Sequence, residues 1–440
     1  MEFLVRMMSE KSLERLATAA IATISLFLHF VNLTHPSQVV FDEFHFGKFV
    51  NAYCCTHQTI FDIHPPHSKL VMAWLVKLWG YDGRFAFESI GQALDTGPLM
   101  AFRLWPAIVG TLIPVVGFIL LRVWGVRVAW AFTGALALAL DNGILIQTRI
   151  MALDGQLLLG SLLTVLFFEL MLRARPASRQ ILYAFLVGLA LAMTVSAKFT
   201  GLAVTAILGF RLFQHFTISG MKPRWNWTVA AKFTAGTVAF LLLYLAGWKL
   251  HFMWLTLPGP GTAFYNPTGN FLEDVAVLHK VMVMANDGIK TAHPWSSPWW
   301  GWPFMTKPIY YWVNNGAVIY FVGNPVVWWG SLAATVLMLG QFAASGRSRG
   351  LYADLLVFGW IAAYLPYALV SRGLFLYHYL PPLVWLVLLT TVLFSRMPVR
   401  SGVRPYHVIA MLICGFIVTM PVTFGFIGWK DIPVWLLNLH

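Results

Sequence analysis

The chain has 440 residues, of which 59% are apolar and 11% are charged, with 30 Lys and Arg against 17 Asp and Glu. Soluble proteins carry about 25% charged residues, so these numbers exclude a water-soluble globule, a disordered chain and a coiled coil. The apolar residues fall in runs long enough to cross a bilayer, which takes about 20 residues. The sequence therefore predicts an all-α polytopic membrane protein.

The apolar runs predict about eleven membrane spans. In chain order they lie near 15–33, 99–121, 127–144, 155–173, 181–197, 200–216, 229–248, 317–342, 353–370, 376–395 and 407–427. Basic residues precede the first span, but no small-residue cleavage site follows it, so it is predicted to be a retained span rather than a signal peptide.

Basic residues between the spans predict the orientation. With the N-terminus inside, nearly every cytoplasmic joint is basic and almost free of acid, as the positive-inside rule requires. These joints hold Arg122, Arg127, Arg173, Arg175, Arg179, Lys222, Arg224, Arg347, Arg349, Arg396, Arg400 and Arg404. We therefore expect an integral plasma or inner membrane protein with a cytoplasmic N-terminus and, from the odd span count, an outer C-terminus.

Two long segments are predicted on the outer side. Segment 34–98 contains polar motifs and a short apolar stretch, Leu70 to Trp79, which is too short to span and predicts a helix in the interface. Segment 250–316 includes HPWSSPWWGWP at 293–303, whose Trp residues are typical of interfacial anchors. At about 65 residues it is shorter than a typical folded domain of about 100. We expect one transmembrane domain over 1–440 and no separate soluble domain.

Charged residues cluster at the predicted outer face. Such charges are costly near a bilayer unless they are paired or line a wet cavity, so each is a candidate for function. Snorkelling or loop-tethering is the alternative for any one of them, but their location on one side favours a single outer active site. The candidates in the loops and at span ends are Asp42, Glu43, Asp62, His64, Lys69, Arg103, Arg149, Asp154, Lys198 and Arg372.

The adjacent pair Asp42–Glu43 predicts acid–base chemistry. Neighbouring side chains diverge in a helix or turn, so the two are not expected to share a proton. One carboxylate is then a candidate general base for an incoming hydroxyl, while the other is structural or contacts substrate. Alternatively, Asp42 caps the helix that continues into Phe44–Tyr53.

Histidines in the same loop raise a metal alternative. His45, His57, His64 and His67 lie near the acids, but none has the i, i+4 spacing of a helical zinc motif, and Pro65-Pro66 interrupts one pair. No metal is predicted to be required. The cations instead favour a phosphate, because Arg offers a bidentate fork and Lys a compact charge. Attraction to anionic headgroups is the alternative for the cations.

Eight short strings occur in an order that resembles the protein O-mannosyltransferase family, in its bacterial-type form. They are FDEFHFGKF, DIHPPHSKL, FRLWPAIVG, DNGILIQTRIMALD, SAKFTGL, HPWSSPWWGWP, GNPVVWW and FLYHYLPP, spread over about 39–395. The resemblance implies the GT-C glycosyltransferase architecture with eleven spans and an Asp-Glu pair in the first outer loop. That loop, 34–98, would be catalytic, and 250–316 would serve the substrate.

The resemblance also implies a reaction. Mannose would pass with inversion from a polyprenyl- or dolichyl-phosphate donor to Ser or Thr hydroxyls of translocated polypeptides, with no cofactor. Asp42 would be the base, and Lys69, Arg149 and Arg372 would hold the donor phosphate. His64, Arg103, Asp154 and Lys198 match charged positions of the family's motifs, and His378 would line the cavity. Association with the secretion machinery would suit such an acceptor.

Two other classes remain open from the residues alone. A transferase of the same architecture that uses another sugar, or a lipid or glycan acceptor, would look alike on its donor side. A transporter or lipid flippase usually shows repeated halves and ionisable residues near mid-bilayer. This sequence has no paired repeat, and its charges gather at one face.

Overall fold

The computed structural model describes residues 9–220, 225–288, 293–346, 348–398 and 402–426. The predictions for Lys222, Arg224, Arg347, Arg400 and the C-terminus lie outside these residues. Within them the chain forms one antiparallel hairpin, β1 (Ile309–Asn314) and β2 (Ala317–Phe321), and fifteen α-helices. The helices are α1 (Glu10–Phe30), α2 (Glu43–Asn51), α3 (His67–Leu78), α4 (Thr96–Val123), α5 (Val128–Ala139), α6 (Asn142–Gln147), α7 (Asp154–Arg173), α8 (Ala177–Val195), α9 (Ala203–Ser219), α10 (Trp227–Trp254), α11 (Phe271–Gly288), α12 (Ser331–Ser345), α13 (Leu351–Tyr364), α14 (Leu380–Arg396) and α15 (Pro405–Phe424).

The predicted polytopic helical architecture is confirmed. In the described part of the chain, ten helical segments have the length and apolar composition needed to cross a bilayer. Nine of the predicted spans agree with these segments to within about six residues at either end. The segments pack into one bundle whose large apolar core joins most of them.

The predicted span 127–144 is instead two shorter helices. Helix α5 has 12 residues and ends before Asp141, whose backbone is extended. The Asp141 carboxylate accepts a hydrogen bond from the Ile144 N–H at 2.9 Å and so caps the start of α6. A side-chain acceptor that satisfies the free N–H groups of a new helix ends the preceding one.

The predicted span 317–342 begins on a strand. Its first residues form β2, which pairs with β1 through a turn at Asn315-Gly316, and helical structure resumes only at Val326. Both turn residues have positive φ, 46° and 84°. Such angles suit the tight hairpin turn that Asn-Gly favours.

Helices α14 and α10 occupy opposite environments in the bundle. Helix α14 is almost wholly buried and packs against α5, α12 and α13, whereas α10 is largely exposed and packs mainly on α8. A Cβ on Gly188 would lie 2.1 Å from the Gly236 carbonyl oxygen, so α8 and α10 approach closely only because small residues meet there. An apolar helix left this exposed is suited to contact with lipid.

The two segments predicted on the outer side are folded against each other. After α2 the chain makes a π-helical turn, where Cys54 and Cys55 form a disulfide that their adjacency did not predict. The Thr59 N–H donates to the Leu257 carbonyl at 2.8 Å, and the Leu257 N–H donates to the His57 carbonyl at 2.9 Å. These backbone bonds fix the first of these segments on the second.

Candidate functional site

Asp42 sits at a strained turn immediately before α2. Phe41 has a φ of 45°, which is rare for a bulky residue. Its ring stacks on Tyr311 at 3.9 Å, and its N–H donates to the Tyr311 carbonyl at 2.9 Å. Asp42 occupies the N-cap position but makes no side-chain cap bond, and within the described residues no hydrogen bond reaches its half-buried carboxylate. The capping alternative is therefore wrong, and the carboxylate has free acceptor capacity.

Glu43 has the opposite environment, since it is fully buried and saturated. Its carboxylate accepts bonds from Arg103 Nε and Nη2, both at 2.8 Å, and from the Val40 and Met151 N–H groups at 2.9 and 3.1 Å. The remaining Arg103 donors reach the carbonyl oxygens of Leu33, Pro36 and Gln38. All five guanidinium N–H groups are thus used inside the protein, so this pair fixes the turn that carries Asp42.

Arg149 is similarly committed to the backbone. Its Nη1 and Nη2 donate, at 2.6–3.1 Å, to four carbonyl oxygens where α1 ends, those of Leu28, His29, Val31 and Asn32. The end of a helix leaves its last carbonyls without intrahelical partners, and the guanidinium satisfies them. This geometry argues against the donor-phosphate contact predicted for Arg149.

Lys69 and His64 both contact Asp62, the second acidic residue of the site. The Lys69 ammonium, at the start of α3, pairs with Asp62 and donates to the His64 carbonyl at 2.8 Å. The Asp62 carboxylate also accepts the His64 N–H at 3.2 Å. Two of the three ammonium donors are therefore used, and the turn around Pro65-Pro66 is closed by this one side chain.

Lys198 lies between helical segments, after α8, and reaches Asp154 at the start of α7. The two form an ion pair at 2.8 Å, and Gln147 donates to the other Asp154 oxygen at 2.8 Å. Gln147 in turn accepts the Tyr311 hydroxyl at 2.6 Å. The Lys198 ammonium also sits 5.2 Å from the centre of the Tyr377 ring. Among the residues that the structure describes, Asp154 is the one hydrogen-bond partner of the ammonium, which leaves two N–H donors for another partner.

Arg372 and His378 come from the connection between α13 and α14. Arg372 is half-buried, and Nη1 donates to Asn286 at 2.6 Å, the one hydrogen bond found for this guanidinium within the described ranges. The His378 ring stacks on Tyr377 at 4.6 Å and lies parallel to Trp302 at 5.9 Å. His378 therefore belongs to an aromatic wall that includes the Tyr377 ring beside Lys198.

The charges of these groups act on one another. Burial raises the pKa of Asp42 to about 7, opposed by Lys198 and supported by the negative charges of Asp154 and Asp62. Burial also acts to raise the pKa of Asp62, but the Lys69 ammonium outweighs it and the pKa lies below its ordinary value. Burial lowers the pKa of His64 to about 3, with Lys198 and Arg372 adding to the effect, so this imidazole is neutral at pH 7. Asp42 is thus poised near neutrality, as suits a general base.

The structure therefore divides the predicted residues into two groups. Arg103, Arg149 and Glu43 are used in holding the backbone, while the remaining candidates interact electrostatically with Asp42 or with one another. These remaining candidates are His64, Lys69, Asp154, Lys198, Arg372 and His378. We name this second group, together with Asp42 and Asp62, the outer charge cluster.

The histidines near the cluster are engaged separately. His57 Nδ1 bonds the Trp254 carbonyl at 2.9 Å, and His67 Nδ1 bonds Gln156. Across the ranges that the structure describes, no three His, Cys, Asp or Glu side chains are arranged to hold a metal ion. The cluster thus presents cations and one free carboxylate as its chemical groups.

Three contributing residues were missed from the sequence. Gln147 orients Asp154, Tyr311 orients Gln147 and stacks on Phe41, and Tyr377 lies under Lys198. Gln147 lies in the motif DNGILIQTRIMALD and Tyr377 lies in FLYHYLPP. Their positions in family motifs could have identified both as candidates. Tyr311 carries none, because one more aromatic residue in an apolar run is indistinguishable from core.

The fold and the cluster together define the GT-C class of membrane glycosyltransferase architecture. A chain of the Saccharomyces cerevisiae protein O-mannosyltransferase Pmt1-Pmt2 complex bound to the sugar donor aligns with a TM-score of 0.84 and 18% identity. The alignment covers 94% of this chain and 90% of that one. ArnT from Cupriavidus metallidurans bound to undecaprenyl phosphate aligns with a TM-score of 0.56 and 14% identity, over 92% of this chain and 64% of that one. Both likenesses concern the fold.

Residues 19–256 match the family described as dolichyl-phosphate-mannose-protein mannosyltransferase, and residues 271–434 match the C-terminal four-span region of protein-O-mannosyltransferase. The chain belongs to this family, as its motifs predict. A relative, dolichyl-phosphate-mannose–protein mannosyltransferase 4 of Candida albicans, is 30% identical over 63% of this chain and 38% of its own length. The chain spans about a third of the length of the curated relatives it matches.

Proposed function

We propose that this chain transfers mannose from a polyprenyl- or dolichyl-phosphate carrier to Ser or Thr hydroxyls of polypeptides, with inversion at the anomeric carbon. Family membership supports the reaction class and the sugar. The observation that carries the proposal is the Asp42 carboxylate, which has no hydrogen bond within the described residues and a pKa raised to about 7 by burial. Asp42 is the general base in this reaction.

The reaction needs one base and a held phosphate. Asp42 takes the proton of the acceptor hydroxyl as its oxygen bonds to the anomeric carbon. The bond from that carbon to the phosphate oxygen breaks, and its electron pair stays on the leaving lipid phosphate. Because the charge develops on phosphate, cations with unused donors stabilise the transition state most.

Lys198 and Arg372 are the cations we assign to that phosphate. Lys198 makes one ion pair, with Asp154, and Arg372 makes one described bond, to Asn286. Arg149 has four bonds to backbone carbonyls instead, so we assign it to the fold. Lys69 keeps one donor and is assigned to the edge of the same site, with His64 beside it.

Several further assignments belong to this proposal. The second outer segment, 250–316, contacts the acceptor, since it packs directly on the loop that bears Asp42. The N-terminus is cytoplasmic and the outer charge cluster extracytoplasmic, which the positive-inside pattern supports. Association with the secretion machinery follows from the acceptor class and rests on that alone.

The test is transfer by purified protein from polyprenyl-phosphate-mannose to a Ser/Thr-rich peptide. We expect mannosylated peptide with an α-to-β or β-to-α change at the anomeric carbon, which NMR of the product measures. A retained anomeric configuration would contradict a single displacement. Donor binding without peptide transfer, in a folded sample, would indicate another acceptor class.

A further inference from the structure

The end of the bundle opposite the outer charge cluster contains an apolar cavity of about 170 Å³. It lies between α5, α12, α14 and α15, and its lining includes Gly134, Ala137, Ala334, Val387 and Leu412. Helix α14 runs from Leu380, near the cluster, to Arg396, and at 1.5 Å per residue this places its two ends about 24 Å apart. The cavity is therefore distinct from the site already described.

The cavity wall offers no free hydroxyl donors from its threonines. Thr133, Thr390 and Thr391 each donate to a carbonyl four residues earlier in their own helix, at 2.8 Å. Ser331 adds one more hydroxyl to a lining that is otherwise mostly apolar. An apolar cavity of ~150 Å³ admits an apolar molecule as large as benzene. This space is suited to hydrocarbon.

A second cavity of about 120 Å³ adjoins the first and is basic. The two share Trp130 and Phe394, whose rings stack at 5.3 Å, and the second is also lined by Arg127 and Arg404. No Asp or Glu lines either cavity within the described residues. Arg127 Nη2 donates only to the Ser395 carbonyl at 3.3 Å, and no ion pair engages Arg404 in the part of the chain that the structure describes.

We infer that these two cavities form a binding site for an anionic phospholipid of the leaflet on the basic side of the bundle. Part of one acyl chain occupies the apolar cavity, and the headgroup phosphate lies between Arg127 and Arg404, with the Trp130–Phe394 pair under the glycerol. Charge complementarity selects an anionic headgroup, because basic pockets between membrane helices bind such lipids. The site stands independently of the proposed mannosyl transfer.

Native mass spectrometry of the full chain in detergent tests the site, with phosphatidylglycerol and phosphatidylcholine of the same acyl chains as probes. We expect wild type to retain one phosphatidylglycerol in preference to phosphatidylcholine. Each arginine near a surface phosphate is worth about fivefold in affinity, so R127Q/R404Q should bind phosphatidylglycerol about 30-fold more weakly. The matched control R175Q/R179Q removes two exposed arginines that line neither cavity, and its affinity should change less than twofold.

A cavity-filling variant distinguishes binding of the acyl chain from binding of the headgroup. Ala334→Phe places a ring in the apolar cavity and should lower the binding of both lipids, while R127Q/R404Q lowers only that of phosphatidylglycerol. R127Q/R404Q does not change the packing of the apolar cavity, so it still tests the lipid site if A334F does not fold. Equal binding of the two lipids by wild type, or an equal loss in R175Q/R179Q, would overturn the site. Displacement of phosphatidylglycerol by polyprenyl phosphate, abolished in A334F, would overturn the occupant.

Discussion

Replacing Asp42 by Asn tests its role as the general base apart from any structural role. The two side chains are nearly the same size, and the Asp42 carboxylate makes no cap bond to α2, so no hydrogen bond among the described residues is lost. A neutral amide cannot accept the proton of the acceptor hydroxyl. General-base catalysis contributes about 10²–10⁴-fold, and the turnover number should fall by about that factor. The affinity for the lipid-phosphate donor should change little, because the phosphate is assigned to cations and not to Asp42.

The same substitution should raise stability at alkaline pH. Burial raises the pKa of Asp42 from 3.8 to about 7, so the folded state disfavours the charged carboxylate. The cost is absent below pH 3.8, grows between pH 3.8 and 7, and is full above pH 7. At about 1.4 kcal/mol per pKa unit the full value is about 4 kcal/mol, and partial solvent contact reduces it to roughly 1–3. Asp42→Asn should gain that amount at pH 8 and nothing at pH 4.

Two measurements check this reasoning. Peptide mannosylation is followed from pH 5 to 9, where the wild-type turnover number should rise tenfold per unit up to about pH 7 and then level off. Thermal unfolding in detergent gives the stability at pH 8 and at pH 4. Asp95→Asn is the matched control, since Asp95 lies at the N-cap of α4 in the same outer loop, is exposed and also makes no side-chain cap bond. Full turnover by the Asp42 variant, or a loss equal to that of Asp95→Asn, would refute the assignment.

The remaining predictions concern the fold, the phosphate and metal. Glu43→Gln should cost about 3–5 kcal/mol of stability, because it breaks a buried ion pair, whereas Glu10→Gln in an exposed pair should cost under about 1 kcal/mol, by thermal unfolding. Arg149→Lys should lower the melting temperature and leave the KM for donor unchanged. Arg372→Gln should raise that KM without loss of stability, and the reverse pattern would contradict the phosphate assignment. EDTA should leave the transfer rate unchanged, and a rate restored by added divalent metal would contradict a metal-free mechanism.

The sequence was sufficient for the spans because hydropathy is a local property. Segments such as 353–370 and 376–395 are apolar over enough residues that no other environment suits them, and the structure places Leu351–Leu369 and Leu376–Arg396 there. The hairpin was missed although Asn315-Gly316 is a strong turn signal, since the apolar run beginning at Ala317 read equally well as a span. The end of α5 before Asp141 was missed because one acidic residue inside an apolar run does not by itself predict a helix N-cap.

The candidate site was only partly predictable. The sequence identifies Asp42, Lys198 and Arg372 as unusual charges for a membrane protein, and it does so for Arg103 and Arg149 on the same grounds. Nothing local distinguishes a guanidinium that holds substrate from one that holds backbone. That distinction depends on which carbonyls lie nearby, and those of Leu33 and Asn32 are about 70 and about 120 residues away along the chain.

The amino-acid sequence was enough to predict that the chain crosses a membrane, that it belongs to one family, and that a set of acids lies beside cations at one face. Composition, run length and motif order are properties of the chain that need no contacts. Which of the two adjacent carboxylates is free became visible in the three-dimensional packing. Glu43 turns inward to Arg103 and is saturated. Asp42 is affected by the charges of Lys198 and Asp154, and its oxygens accept no hydrogen bond within the described residues. Hydrogen-bond saturation and burial depend on long-range packing, and they distinguish the proposed base, Asp42, from Glu43, which holds the turn.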